Sequence, residues 1–282
     1  MTETTYLKIQ AQLIKYRLTI LNMANGNRDE LGAKIAKEEF GSKLSEIKLV
    51  ADGLIHQTYS LTAGRSKYIL QISDRKDSRE KALERKVHAF ALAEKLDLPT
   101  PELITPINSF QNRKYYIAEK LPGKSLRENF DSKLASEIGG RLAEIHRIQD
   151  FEKAGHLKPK ENSLEVSPFE EGNLKNHVIR QVKEDAERLE KNGFQQISTQ
   201  INRFFDKHHE KLPSNFKPVL CHNDCSPDNI LAEDREITGI IDFDYVYSGH
   251  NQRDLVKSAN SFWLEGYYIR EELYTGYQKR IT

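Results

Sequence analysis

The chain has 282 residues, 38% hydrophobic and 30% charged, with 43 Lys+Arg against 42 Asp+Glu and a formal charge of +1. That balance excludes a strongly basic nucleic-acid binder, and no apolar run approaches the roughly 18 residues that span a bilayer. Two cysteines cannot build a disulfide framework, and the start MTETTYLKIQAQ lacks the charged and apolar regions of a signal peptide, so a reducing, cytoplasmic setting is expected.

In chain order, residues 5–24 place Leu7, Leu13, Ile14, Leu18 and Leu21 at near-helical spacing, and NGN at 25–27 ends that helix. A second helix is predicted over 28–40, with Leu31 and Ile35 facing inward and Gly41 closing it. SEIKLVADG, LIHQTYSLTAG and SKYILQIS then read as three short strands separated by glycine-containing turns. SREKALERKVHAFALAEKLDLPTP reads as a helix with Ser78 as N-cap, stopped by Pro99 and Pro101. ELITPI and KYYIAEKL read as two further strands, and the Pro122–Gly123 pair marks a turn. SKLASEIGGRLAEIHRI and NHVIRQVKEDAERLEKN are amphipathic helices, with 150–170 expected as a loop between them. Short strands return over 217–247, and DLVKSANSFWLEGYY restarts a helix with Asp254 as its N-cap. The predicted organisation is an N-terminal helical extension (1–27), a small β-rich lobe (28–118) and a larger helical lobe (119–282) with an embedded β-hairpin.

The chemistry concentrates in CHNDCSPDNIL, which begins at Cys221 and is soon followed by GIIDFD. Cys221, His222 and Cys225 do not make a structural zinc site, because no second ligand pair completes the four such a site needs. The two cysteines read as small, half-buried side chains flanking the loop. The carboxylates and the amide are more informative. His222, Asp224 and Asn229 share one loop, and Asp242 follows at the end of the next strand. Phosphoryl transfer from ATP needs one carboxylate to orient an acceptor hydroxyl and take its proton. It also needs an amide oxygen and a second carboxylate to hold Mg2+, a hard ion that prefers oxygen.

His222-Asn-Asp224-Cys-Ser-Pro-Asp-Asn229 with Ile241-Asp242-Phe243-Asp244 resembles the signature of the aminoglycoside phosphotransferase and choline kinase superfamily. The resemblance implies an α+β, two-lobed protein-kinase-like fold. It implies Asp224 as catalytic base, His222 as orienter of the loop, and Asn229 and Asp242 as Mg2+ ligands. Upstream, DGLIHQTYSL resembles the nucleotide-covering hairpin of sugar-kinase-like members, with His56 where Asn is usual. Gly53, His56 and Thr58 of that hairpin are thereby candidate nucleotide contacts. So are Gln71 on the third strand, Glu84 as the acid of the following helix, and Glu119 in IAEKLPG, which resembles the hinge that meets adenine. GGRLAEIHRI resembles the helix that opens the second lobe.

Two departures stand out. Gln71 occupies the strand position where Lys or Arg usually contacts the α- and β-phosphates, while Lys67 reads as a solvated strand-end lysine. The stretch after Asp242 is too short for the activation segment and helices of a protein kinase, so a small-molecule acceptor is expected. Glu170, Glu171, Glu265, Glu271 and Glu272, with Phe262, Trp263, Tyr267 and Tyr268, are candidate acceptor contacts, against the plainer reading of surface charge and core packing. Aminoglycoside, aminosugar, choline-like amine and homoserine-like acceptors all stay open. The leading expectation is an ATP- and Mg2+-dependent phosphotransferase, monomeric or homodimeric, without nucleic-acid or membrane partners. The alternative is a catalytically silent nucleotide- or metabolite-binding protein of the same fold.

Overall fold

The structure is a computed structural model that describes residues 29–52, 56–73, 82–128, 130–161 and 163–281. The expected helix over 5–24, the expected cap Ser78 and the candidate Gly53 lie outside these residues. The chain divides into two compact units. The first runs to Ser78 and takes up again for Glu102–Lys120; the second holds Arg79–Pro101 and Leu121–Thr282.

In the first unit a helix, α1 (Asp29–Phe40), precedes three strands, β1 (Leu44–Asp52), β2 (His56–Ala63) and β3 (Ser66–Ser73). With β4 (Asn108–Phe110) and β5 (Arg113–Glu119) they form an antiparallel sheet in the order β1-β2-β3-β5-β4. The period of two puts Tyr59 and Leu61, Leu70 and Ile72, and Tyr115 and Ile117 on one face, where Ile35 and Ala36 of α1 cover them. Burying each large apolar side chain contributes about 1.5–3 kcal/mol. Gln71, between Leu70 and Ile72, belongs to the opposite face.

The expected strand over ELITPI does not form. Leu103 makes one bridge to Ala118, and the N–H groups of Ile104 and Thr105 both turn to the Ile117 carbonyl. Pro101 and Pro106 remove ladder donors, and the pairing strand is β4, beyond them.

The second unit begins with α2 (Ala82–Glu94), followed by β6 (Lys124–Ser125) and α3 (Ala135–Ile145). Next come β7 (Gly155–Lys160), β8 (Ser163–Pro168), α4 (Leu174–Lys191) and α5 (Gln195–His208). The strands β9 (Val219–Cys221), β10 (Ile230–Glu233), β11 (Glu236–Ile240) and β12 (Tyr247–Gly249) carry the motif. Helices α6 (Asn251–Leu264) and α7 (Arg270–Ile281) end the chain. Two small sheets result, β11-β10-β6 and β8-β7-β12-β9.

The segment expected as a loop at 150–170 is in fact the β7–β8 hairpin. Gly155 and Leu157 alternate inward, a period of two masked in the sequence by Lys158, Pro159 and Lys160. Helices α3 and α7 cross at two glycines. A Cβ on Gly139 would collide with the Leu273 carbonyl, and one on Gly276 with the Ser136 carbonyl, so the two backbones approach to glycine distance. Among the described residues no helix is long and apolar enough to cross a membrane.

Candidate active site

All four residues of the motif lie in the second unit. The β10–β11 ladder pairs Ile230 with Ile240, and the Ile241 N–H donates to the Asn229 carbonyl at 3.0 Å. Asn229 and Asp242 therefore emerge at the same end of one hairpin. Asp242 has φ 66 and ψ 60, a left-handed conformation that turns the chain out of β11.

His222 is fully buried and joins the two sides. Its Nδ1 accepts the Asp224 N–H at 3.2 Å, and its Nε2 faces the Ile241 carbonyl at 3.1 Å. These partners fix the neutral tautomer with the proton on Nε2. Burial, which pushes the His222 pKa down, favours the same neutral form.

The loop is held from below by Asp254, 1% exposed. Its carboxylate accepts the His222 N–H at 2.6 Å and the Asn223 N–H at 2.7 Å, and meets His146 Nε2 at 3.1 Å. His146 in turn reaches the Tyr277 hydroxyl at 2.7 Å. Burial alone would raise the Asp254 pKa, but the His146 hydrogen bond, with the Asn223 N–H, holds it below its ordinary value. Asp254 is not the cap of α6, as its place in the sequence suggested. His250 caps that helix, accepting the Gln252 N–H at 3.1 Å, and Asp254 stands within the first turn.

Asn229 donates through Nδ2 to the Asp224 carbonyl at 2.8 Å and to Asp224 Oδ2 at 3.0 Å. Its amide nitrogen is thus committed, and its oxygen is the end left for a ligand. Burial raises the Asp224 pKa, opposed by the Lys257 charge and the Asn229 amide. Burial likewise raises that of Asp242, opposed by Lys86 and reinforced by Asp244.

Lys86 of α2 was missed in the sequence, where it is one of many charges in SREKALERK. It is 1% exposed, and its Nζ lies 3.1 Å from Asp242 Oδ1 and 2.8 Å from Asp244 Oδ1. Asp242 Oδ1 is buried and takes no hydrogen bond beyond that ion pair. Such an oxygen, with the Asn229 amide oxygen, makes an all-oxygen donor set that suits a hard divalent cation. Arg127 is a second missed residue. It binds Asp228 of the loop at 2.8 Å and Glu265 at 2.7 Å, and so ties the end of α6 to the motif.

The cysteines take no part. Burial pushes both thiols up, so neither is poised as a thiolate ligand. Among the described residues the grouping with metal-ligand spacing is His146, Cys221 and Asp254, whose oxygens are already occupied by the loop.

In the first unit, Thr58, Gln71 and Tyr116 form one row across β2, β3 and β5. Gln71 Nε2 donates to Thr58 Oγ1 at 3.1 Å, and the Tyr116 hydroxyl donates to Gln71 Oε1 at 2.7 Å. The strand position expected to carry a cation thus holds an amide engaged at both ends. His56 is buried at the start of β2, Glu119 ends β5 with its side chain exposed, and Lys67 is exposed. Glu84 falls in the second unit, on α2.

Of the acceptor candidates, Phe262 is core, against Phe130, and Glu265 is spent on Arg127. Glu171 is held to about 2 by its own backbone hydrogen bond and by His177 and Arg180. Trp263, Tyr267, Tyr268, Glu271 and Glu272 line an open cleft of about 550 Å³.

Residues 46–278 match a family described as the phosphotransferase enzyme family. Among solved structures, the chain resembles a thermostable mutant of aminoglycoside phosphotransferase APH(4)-Ia in ternary complex with ADP and hygromycin B. Identity is 16%, TM-score 0.63, and the match covers 88% of this chain and 81% of that one. It resembles spectinomycin phosphotransferase APH(9)-Ia with ADP and spectinomycin at 17% identity and TM-score 0.62, over 86% and 78% of the two chains. The streptomycin–ATP–APH(2'')-IIa complex matches at 17% identity and TM-score 0.56, over 90% and 83%. At these identities the likeness is one of fold, and it is the α+β protein-kinase-like fold expected from the motif. With the family match running from β1 into α7, the chain belongs to the phosphotransferase enzyme family.

Proposed function

We propose that the protein transfers the γ-phosphoryl group of ATP to a hydroxyl of a small molecule, with Mg2+. The observation that carries this reading is the joint placement of Asp224, Asn229 and Asp242 on one hairpin end, with Asn229 turned so that its nitrogen serves Asp224 and its oxygen is left for a cation. The ligands of the structural neighbours, ADP or ATP beside hygromycin B, spectinomycin or streptomycin, support the same reaction class.

Asp224 takes the proton of the acceptor hydroxyl. Oxygen bonds to the γ-phosphorus, the bond to the bridging oxygen breaks, and ADP leaves with the electron pair. A carboxylate with a raised pKa is the better proton acceptor once ionised. Asn229 and Asp242 would hold the Mg2+, which when bound neutralises charge on the phosphates. His222 keeps Asp224 and Asp242 in register through the two nitrogens of one ring, which meet the Asp224 N–H and the Ile241 carbonyl. His56, Thr58, Gln71, Glu84 and Glu119, with Gly53, serve the nucleotide in this reading. An ATP-consumption screen over amines, aminosugars and hydroxy acids tests it, with Asp224→Ala as control. Turnover that survives Asp224→Ala would show that the base is misassigned.

A silent nucleotide-binding protein is the second reading. Lys86 on both motif aspartates favours it, since an ammonium then stands where a divalent cation would bind. Thermal shift by ATP with and without Mg2+ separates the two: stabilisation independent of Mg2+ supports the silent reading.

A further inference from the structure

A cleft of about 310 Å³ opens within the second unit, inside the about 300–1,000 Å³ range of small-molecule sites. Leu174 and Val178 of α4, Leu212, and Val256 of α6 give it apolar walls, and Arg253 and Lys257 of α6 give it charge. Among the described residues, none of those lining it is acidic. Its third cation, Lys175, is already paired with Glu210 at 2.8 Å.

Arg253 and Lys257 are different. Neither is ion-paired with a carboxylate among the described residues. Lys257 Nζ donates to the Asn223 carbonyl and, at 3.2 Å, to Asn223 Oδ1. Arg253 Nε donates to the same Oδ1 at 3.3 Å, its Nη1 to Gln181 at 3.5 Å, and its guanidinium lies 5.3 Å from the Tyr247 ring centre. Both cations therefore touch the residue directly before Asp224, and both line the cleft with their hydrogen bonds made to neutral groups, while the charges of Asp224 and Asp254 act on Lys257 from outside the cleft lining. A polycation would meet repulsion here. A carboxylate or phosphate would meet two donors, one of them a planar fork suited to such groups.

We propose that this cleft binds the acceptor, and that the acceptor is a hydroxyl compound bearing an anionic group and a short apolar segment. The anion rests on Arg253 and Lys257, the apolar segment on Leu174, Val178 and Val256, and the hydroxyl reaches Asp224. This rests on the phosphotransferase reading for its last step alone; binding in the cleft does not depend on it.

Saturation-transfer difference NMR on the full chain without nucleotide tests the binding. One mixture holds L-homoserine, D-glycerate, glycerol 3-phosphate and 3-hydroxybutyrate; the other holds kanamycin, glucosamine and choline. The expected result is signal from at least one anionic compound, weakened at least tenfold by Arg253→Gln with Lys257→Met. Val256→Trp, which fills the cleft from an exposed position while keeping both cations, is expected to give the same loss and decides the matter if the double variant does not fold. Signal from the cationic mixture alone, signal from neither mixture, or anionic signal indifferent to Val256→Trp overturns the proposal. Mg2+-dependent ATP binding, followed separately with Asp242→Asn, keeps the two failures apart: its absence sinks the phosphotransferase reading and leaves the cleft result standing.

Discussion

The Lys86 ammonium lies 3.1 Å from Asp242 Oδ1 and 2.8 Å from Asp244 Oδ1, so a single cation from α2 holds the two carboxylates that follow the β10–β11 hairpin. Lys86 and Asp244 are both buried, whereas the Asp242 side chain keeps 35% of its exposure. Removing one partner of a buried ion pair leaves the other charges uncompensated and costs about 3–5 kcal/mol. The exposure of Asp242 lets water screen part of that, so Lys86→Met is expected to lose about 3 kcal/mol. Urea unfolding measures it. Adding Asp244→Asn to that variant removes one of the two repelling charges and is expected to recover part of the loss. A Lys86→Met protein as stable as the parent would show that the triad carries no net stabilisation.

Asp254 holds the loop by its backbone, through the N–H groups of His222 and Asn223. Asp254→Ala orphans both donors and His146 together. Displacement of a catalytic group by about 1 Å costs on the order of 10²-fold in rate, so turnover is expected to fall by that order, with stability lower as well. Asp254→Asn keeps one acceptor oxygen and is expected to fall between the two. The readout that separates positioning from mere unfolding is kcat at saturating ATP, measured where circular dichroism shows the variant still folded. An Asp254→Ala enzyme with unchanged kcat would place the loop under other control.

The motif was legible because its chemistry is local. His222, Asp224 and Asn229 lie on the loop between β9 and β10 and Asp242 just after β11, so short-range spacing already fixes which end of the β10–β11 hairpin they adjoin. Lys86, Asp254 and Arg127 were not legible, because each reaches the motif from a distant segment. A lysine among the charges of SREKALERK has the pattern of a solvated face, and only packing shows it buried. Asp254 misled in a specific way. An aspartate before an apolar run is a common cap signal, but His250 supplies the cap four residues earlier, and the aspartate is turned inward to the loop. The β7–β8 hairpin was hidden by the lysines on its outer face, where side-chain type says little about pairing, and by Pro159 on its inner one.

The α3–α7 crossing depends on the absence of two Cβ atoms. Gly139 meets the Leu273 carbonyl and Gly276 the Ser136 carbonyl, both of them backbone and unable to move aside alone. Gly139→Ala is expected to force the helices apart and cost about 1–3 kcal/mol as overpacking does, despite the better helix propensity of alanine. Gly140→Ala is the internal control. Its Cβ would first meet the Arg280 side chain at 3.4 Å, an ordinary contact with a flexible group. Thermal denaturation should show Gly139→Ala clearly below the parent and Gly140→Ala close to it. Equal Tm values for the two would mean that the crossing relaxes freely.

Asp224 links stability to activity with opposite signs. Burial raises its folded pKa above the ordinary carboxylate value, against the pull of Lys257 and Asn229. A raised folded carboxyl binds its proton more tightly in the folded chain than in the unfolded one. Ionising it therefore weakens the fold: the penalty is absent below the unfolded pKa of about 3.9, enters as pH rises past it, and is complete above the folded value. Asp224→Asn cannot ionise and keeps an oxygen to accept the Asn229 amide. It is expected to be more stable than the parent at pH 7 and no more stable at pH 3, by urea midpoint, while turnover is lost. The kcat/KM of the parent should fall on the acid side with a midpoint above the ordinary carboxylate range, because proton acceptance requires the ionised form. If Asp224→Asn gains nothing at pH 7, the burial cost is offset elsewhere in the folded loop, and the acid limb should then move down to the ordinary carboxylate range.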